Sequence, residues 1–120
     1  MLLNQGRHGS ERILSRPSVQ LMTMNHLTSP EQRVDKEKLE SFFGYDNEGG
    51  WGFLMSVRTH RRNLASVGQF GWNGVFGTTA YADPAEDLVG ILLTQVIAYT
   101  PDEQHIFKDF WNTAYQAIDD

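Results

Sequence analysis

The chain has 120 residues, 40% hydrophobic and 12% aromatic, with a net charge of −5 and no cysteine. That length suits one globular unit, and the excess of acids excludes a dominant electrostatic attraction to nucleic acid or anionic lipid, which needs Lys and Arg in the majority. Without cysteine there is no disulfide, thiol catalysis or thiolate metal site.

Met1 to Asn4 begins on apolar residues, has no capping residue before it and then meets Gly6, the pattern of a helix's last turn, so the chain is expected to begin inside an element. Gln5 to Ser10 reads as a loop. Ser15 and Pro17 offer an N-cap and a first-turn proline to a short helix carrying Val19, Leu21, Met22 and Leu27, with His26 at its end. Ser29-Pro30-Glu31-Gln32 repeats the start signal before a charged run anchored by Val34, Leu39, Phe42 and Phe43, a surface helix or equally a loop. Turn formers fill 45–50. Trp51, Phe53, Met55 and Val57 then alternate with lighter or polar residues, predicting a strand over 50–58.

Arg58-Thr59-His60-Arg61-Arg62 is a short basic run between apolar segments and reads as a solvated loop. Strands are expected over 65–73 and 78–82, a turn at Asp83-Pro84-Ala85-Glu86-Asp87, and a central strand over 88–94, which is apolar on both faces. Thr100-Pro101-Asp102-Glu103 opens a final helix to Ile118, with Ile106, Phe107, Phe110, Trp111, Ala114, Tyr115 and Ile118 on one stripe. The expected fold is α+β: an antiparallel sheet with the C-terminal helix on one face and short N-terminal helices, all within a single domain, 1–120. No window approaches the roughly 20 apolar residues of a membrane span, and the opening residues are too short a stretch for a signal peptide. No membrane association and a cytoplasmic location are the expectation.

Glycines at 68, 71, 74 and 77 recur every third residue around Trp72, leaving a bare backbone that something else can approach. Phe70-Gly71-Trp72-Asn73-Gly74, followed by Gly77-Thr78, Asp83-Pro84 and the run from Glu86 to Gln95, resembles the C-terminal strands of the serine β-lactamase-like hydrolases: class C β-lactamases, D-Ala-D-Ala peptidases and family VIII esterases. Leu14-Ser15, the run from Leu21 to Leu27 and Gly50-Trp51-Gly52-Phe53 extend the likeness upstream, so that nearly the whole chain is covered. The resemblance implies that Trp72 takes the position of the lysine in the family's third motif, that Asn73 points a polar group toward substrate, and that Gly74 lets substrate approach. It also implies that the Val75 N–H is one oxyanion donor, since a tetrahedral intermediate needs donors fixed where its charge develops. Trp72 in place of an ammonium leans toward esterase rather than β-lactamase activity. The bare reading of the same residues is an aromatic, glycine-rich core strand.

The family's nucleophile is a serine followed three residues later by lysine, and no serine of this chain fits: Ser10, Ser15, Ser18, Ser29, Ser41, Ser56 and Ser66 all fail. Tyr45-Asp46-Asn47 matches the family's Tyr-x-Asn pattern but lies directly before the Trp51 strand, where the family does not carry it, and is read as coincidence. His8, His26, His60 and His105 lack ligand spacing, and Asp83, Glu86 and Asp87 suit a hairpin turn better than a calcium loop, so no metal or cofactor is expected. The resemblance therefore implies the C-terminal portion of a serine hydrolase acting on a small ester or amide, one wall of a site and inactive alone. The alternative is a non-catalytic ligand-binding or interaction module on the same sheet. Apolar surface left uncovered points to self-association or to pairing with a missing N-terminal region.

Overall fold

The computed structural model describes residues 1–27, 49–61, 63–97 and 105–119. The segment predicted at 29–43, the Tyr45-Asp46-Asn47 motif and the helix start at Thr100 lie outside the described residues.

The first six residues close as a helix ends. The Gly6 N–H donates to the Met1 carbonyl (3.1 Å) and the Gln5 N–H to that of Leu2 (3.0 Å), the paired bonds of a Schellman motif. Gln5, at φ 51°, holds the left-handed position, one residue before the glycine that sequence favours for it. The expected loop at 5–10 instead contains β1 (Arg7–His8) paired with β2 (Glu11–Arg12), because Gly9 at φ 58° permits a two-residue reversal. Ser15 caps α1 (Arg16–Met22) as expected: its Oγ accepts from the Ser18 N–H at 3.1 Å. Val19 is the fully buried residue of that helix and Leu21 stays exposed; the helix ends at Met22 with Thr23 as C-cap, so His26 and Leu27, expected within it, lie beyond it.

The main sheet is antiparallel, five strands in sequence order: β3 (Gly49–Trp51), β4 (Ser56–Arg58), β5 (Phe70–Gly74), β6 (Thr78–Asp83) and β7 (Leu88–Leu92). The single strand expected over 50–58 is thus a hairpin, Trp51 facing Ser56. Gly52 donates to the Met55 carbonyl and Phe53 to that of Met22 at the end of α1, while Leu54, at φ 59°, reverses the chain. The bulk alternation that imitates a strand here serves the two sides of a tight turn. β5 starts five residues later than expected, because 65–69 is tied into a loop by the Ser66 N–H on Asp83 Oδ2 (2.9 Å) and the Gln69 N–H on the Ser66 carbonyl.

Strand alternation gives the sheet two faces. α2 (His105–Gln116) lies on one, burying Phe107 and Tyr115, with Phe110 and Trp111 half-buried and Ile106 exposed. Trp111 occupies the space a side chain at Gly90 would need and donates through Nε1 to Thr79 Oγ1 at 2.9 Å. On the other face Val57, Phe70 and Ala82 form a small core against Leu2, Leu3 and Met55. β7 is not the central, doubly covered strand expected for 88–94. Among the described residues it is the edge of the sheet, and Val89 and Ile91 are 52% and 59% exposed, since the helix covers only the Gly90 side.

Candidate functional site

β5 is paired along its whole length with β6, from Phe70 opposite Ala82 to Gly74 opposite Thr78. On its other side β4 reaches only Phe70 and Gly71. The bond from the Arg58 N–H to the Gln69 carbonyl (2.8 Å) fixes which main-chain groups turn toward β4, and alternation then turns those of Gly71 and Asn73 the same way. Among the described residues no strand pairs with that side beyond Gly71. The Gly77 N–H closes the following turn on the Gly74 carbonyl at 3.1 Å, which leaves Val75 at the mouth of the opening. Val75 is 59% exposed, and its N–H has no hydrogen-bond partner among the described residues.

Beside this edge lies an apolar groove of about 480 Å³, lined among others by Leu2, Met55, Phe70, Trp72, Val89 and Ile91. Among the described residues its lining carries no acidic or basic side chain, no histidine and no hydroxyl apart from the Tyr81 phenol, and that phenol belongs to the ring packed edge-on against Trp111 at 5.5 Å. Trp72 is half-buried and meets Trp51 edge-on, centroids 4.6 Å apart at 88°. Trp51 is itself fixed: its N–H donates to Asn25 Oδ1 (3.0 Å) and its carbonyl accepts from the His26 N–H (2.8 Å). His26 Nε2–H donates to the Leu21 carbonyl at 2.7 Å while its ring stacks on Phe53 at 4.9 Å. It is a packing residue that holds the tryptophan wall.

Of the residues singled out in sequence, the structure brings Trp72 to the groove and Val75 to the open edge. Asn73, adjacent to Trp72 in an extended strand, projects from the opposite face, and its Oδ1 is buried without a partner. A side chain at Gly74 would collide with Thr78 Oγ1 across the hairpin, so its missing Cβ makes room for the chain's own next strand. Gly68 and Gly77 lie outside β5.

Sequence did not reveal a buried polar chain under α2. Arg58 Nε donates to Gln69 Oε1 (3.1 Å), Gln69 Nε2 to the Tyr115 hydroxyl (2.8 Å), and that hydroxyl to Asp83 Oδ2 (2.7 Å). Asp83 Oδ1 accepts from the Ala85 N–H at 3.1 Å. Burial, reinforced by the hydrogen bond to the Asp83 carboxylate and by its charge, pushes the Tyr115 phenol far above its ordinary pKa, so it stays a donor at physiological pH. All four side chains are buried, and the chain joins β4, the loop before β5, the end of β6 and α2. Its chemistry is that of a clamp. The only signal in sequence is a Tyr on an apolar helix stripe, a phenol that needs a partner once buried.

Among the described residues no group of three His, Cys, Asp or Glu side chains could hold a metal ion, and no helix is long and apolar enough to cross a membrane. No protein-family model matches the chain. It is similar to two curated proteins of Mycobacterium tuberculosis, "Uncharacterized protein MT1414" of strain CDC 1551 / Oshkosh and "Protein Rv1367c" of strain ATCC 25618 / H37Rv, each 37% identical over 103 residues. The match takes in 79% of this chain but only 24% of either relative, so the chain spans about a quarter of the length of the curated relatives it matches.

Proposed function

We propose that this chain is the third-motif wall of a serine hydrolase of the β-lactamase-like superfamily, acting on a small ester or amide, with the attacking serine supplied by polypeptide outside these 120 residues. The observation that carries the reading is the side of β5 beyond Gly71 that no described strand covers, where the Val75 N–H, without a partner among the described residues, lies along the strand from Trp72 and its apolar groove. A main-chain donor held by a sheet needs no reorganisation when charge develops on a carbonyl oxygen. Val75 donates to the oxyanion, and Trp72 packs against the apolar part of the substrate. The described lining of the groove holds no lysine or arginine side chain, which favours a neutral ester over a substrate carrying a carboxylate. Asn73, turned into the helix-covered face, is assigned no contact with substrate.

The test is made in a longer polypeptide that includes this segment. Val75→Pro, which removes the N–H, lowers kcat for p-nitrophenyl ester hydrolysis roughly 10²–10³-fold, whereas Val75→Ala retains activity. Equal activity in the two variants would overturn the assignment. The groove, which lacks a nucleophile, favours a second reading: a module that binds an apolar ligand without turning it over. Saturable binding of a nitrophenyl ester to the longer polypeptide, without release of nitrophenol, selects that reading.

A further inference from the structure

Two bonds hold the Trp51 peptide against the chain that follows α1. In one the Trp51 carbonyl accepts from the His26 N–H at 2.8 Å, main chain to main chain, so any residue but proline at that position supplies it. In the other the Trp51 N–H donates to Asn25 Oδ1 at 3.0 Å, across 26 residues of sequence, and this bond depends on the side chain. The same Oδ1 accepts from the Leu27 N–H at 2.9 Å, the local turn that Asn makes with the backbone two residues on. Both partners are donors, so the atom that faces them is the amide oxygen. The side chain lies close against β3: a Cβ at Gly50 would come 2.8 Å from Asn25 Cγ. Trp51 in turn stands edge-on to Trp72, centroids 4.6 Å apart. β4 pairs with Phe70 and Gly71 and no further, so what meets Trp72 there is the Trp51 indole rather than a β4 partner.

We propose that Asn25 is a positioning residue of the groove: by holding the Trp51 N–H it fixes the Trp51 indole, and through that indole the Trp72 wall against which the apolar part of the substrate packs. This role rests on the reading that the groove takes substrate; Asn25 lies outside the groove lining and touches none itself. Contacting side chains hold a ligand to within about 0.5 Å only when packing and hydrogen bonds behind them lock their rotamers. Asn25 is exposed and apart from the core of Val57, Phe70 and Ala82, so substituting it leaves that core in place. The oxyanion donor is held by other means. Val75 follows a strand paired with β6 from Phe70 to Gly74, and neither Asn25 nor Trp51 takes part in that pairing. Loosening Trp72 therefore weakens the grip on the apolar group equally in the ground state and the transition state, and leaves the donor where charge develops. The kinetic signature of such a loss is a raised KM with kcat unchanged.

The test uses the longer polypeptide that includes this segment. Asn25→Ala should raise KM for a p-nitrophenyl ester about two- to tenfold, the effect of losing one hydrogen bond, with kcat kept. Asn25→Asp, which retains an acceptor oxygen for both N–H groups, should restore the wild-type KM. Asn25→Ser separates the two bonds: its hydroxyl still serves the N–H two residues on but is one atom too short for Trp51, so KM should rise as in Asn25→Ala. Should Asn25→Ala fail to fold, Asn25→Ser decides. If the polypeptide binds the ester without releasing nitrophenol, Kd takes the place of KM and the same order of variants is expected. An unchanged KM or Kd in folded Asn25→Ala and Asn25→Ser, a kcat that falls as far as KM rises, or an Asn25→Asp protein no better than Asn25→Ala each overturns the role of Asn25, and leaves the hydrolase reading to the Val75 variants. A longer polypeptide that neither hydrolyses nor binds the ester removes the groove reading and this role together.

Discussion

Asp83 is 1% exposed and is held by the Tyr115 hydroxyl and the N–H groups of Ser66 and Ala85. In sequence it is one acid of a turn, and Tyr115 is one position of an apolar stripe. Nothing local marks them as partners, since they lie 32 residues apart. Tyr115→Phe removes one donor from a buried carboxylate and should cost about 1–3 kcal/mol, read by urea unfolding near neutral pH. The pH dependence follows from the raised phenol pKa: the unfolded phenol ionises from about pH 10 while the folded one resists. The stability the proton-bearing hydroxyl contributes is therefore complete below about pH 10 and is lost as pH rises further. Wild-type unfolding free energy should fall more steeply across that range than that of Tyr115→Phe, and parallel slopes would contradict the assignment. Gly90 is set by what lies over it: Gly90→Ala drives a methyl into Trp111 and should destabilise by about 1–3 kcal/mol, seen as a lowered Tm.

Elements whose signals are local were legible. The Ser15 cap with Pro17 in the first turn placed α1, and Ser15→Ala should cost about 1 kcal/mol, measured by thermal melting of the variant against wild type. The strands at 78–83 and 88–92 followed from apolar runs separated by a proline-containing turn. Elements that depend on distant contacts were misread. The alternation over 51–57 gave no sign that Gly52 and Phe53 are anchored on Met55 and Met22, and β5 was extended backward because the hold of Asp83 on Ser66 was invisible. The site was half legible. Glycine spacing beside Trp72 found the strand and its exposed end, but a strand sends neighbours to opposite faces, so Trp72 and Asn73 could not both line one groove. A Cβ at Gly74 would meet Thr78 Oγ1 across the hairpin, a contact that glycine spacing does not announce.

At the scale of the molecule, antiparallel order was readable because successive strands are joined by connections too short for crossovers. Which strand lies at the edge was not, because a run apolar on both faces looks the same whether it is covered or awaiting a partner. With no nucleophile in the groove lining, the 120-residue chain alone should show no turnover of nitrocefin or p-nitrophenyl esters above buffer. Release of product that survives repurification would contradict the proposed division of labour. The protein has three tryptophans, and two of them, Trp51 and Trp72, stand edge-on at 4.6 Å where the groove meets the open end of β5, while Trp111 packs under α2. Two indoles so close and so nearly perpendicular couple their electronic transitions. Circular dichroism should therefore carry a bisignate exciton band that disappears in Trp51→Phe and persists in Trp111→Phe, an intrinsic optical gauge of anything that enters beside them.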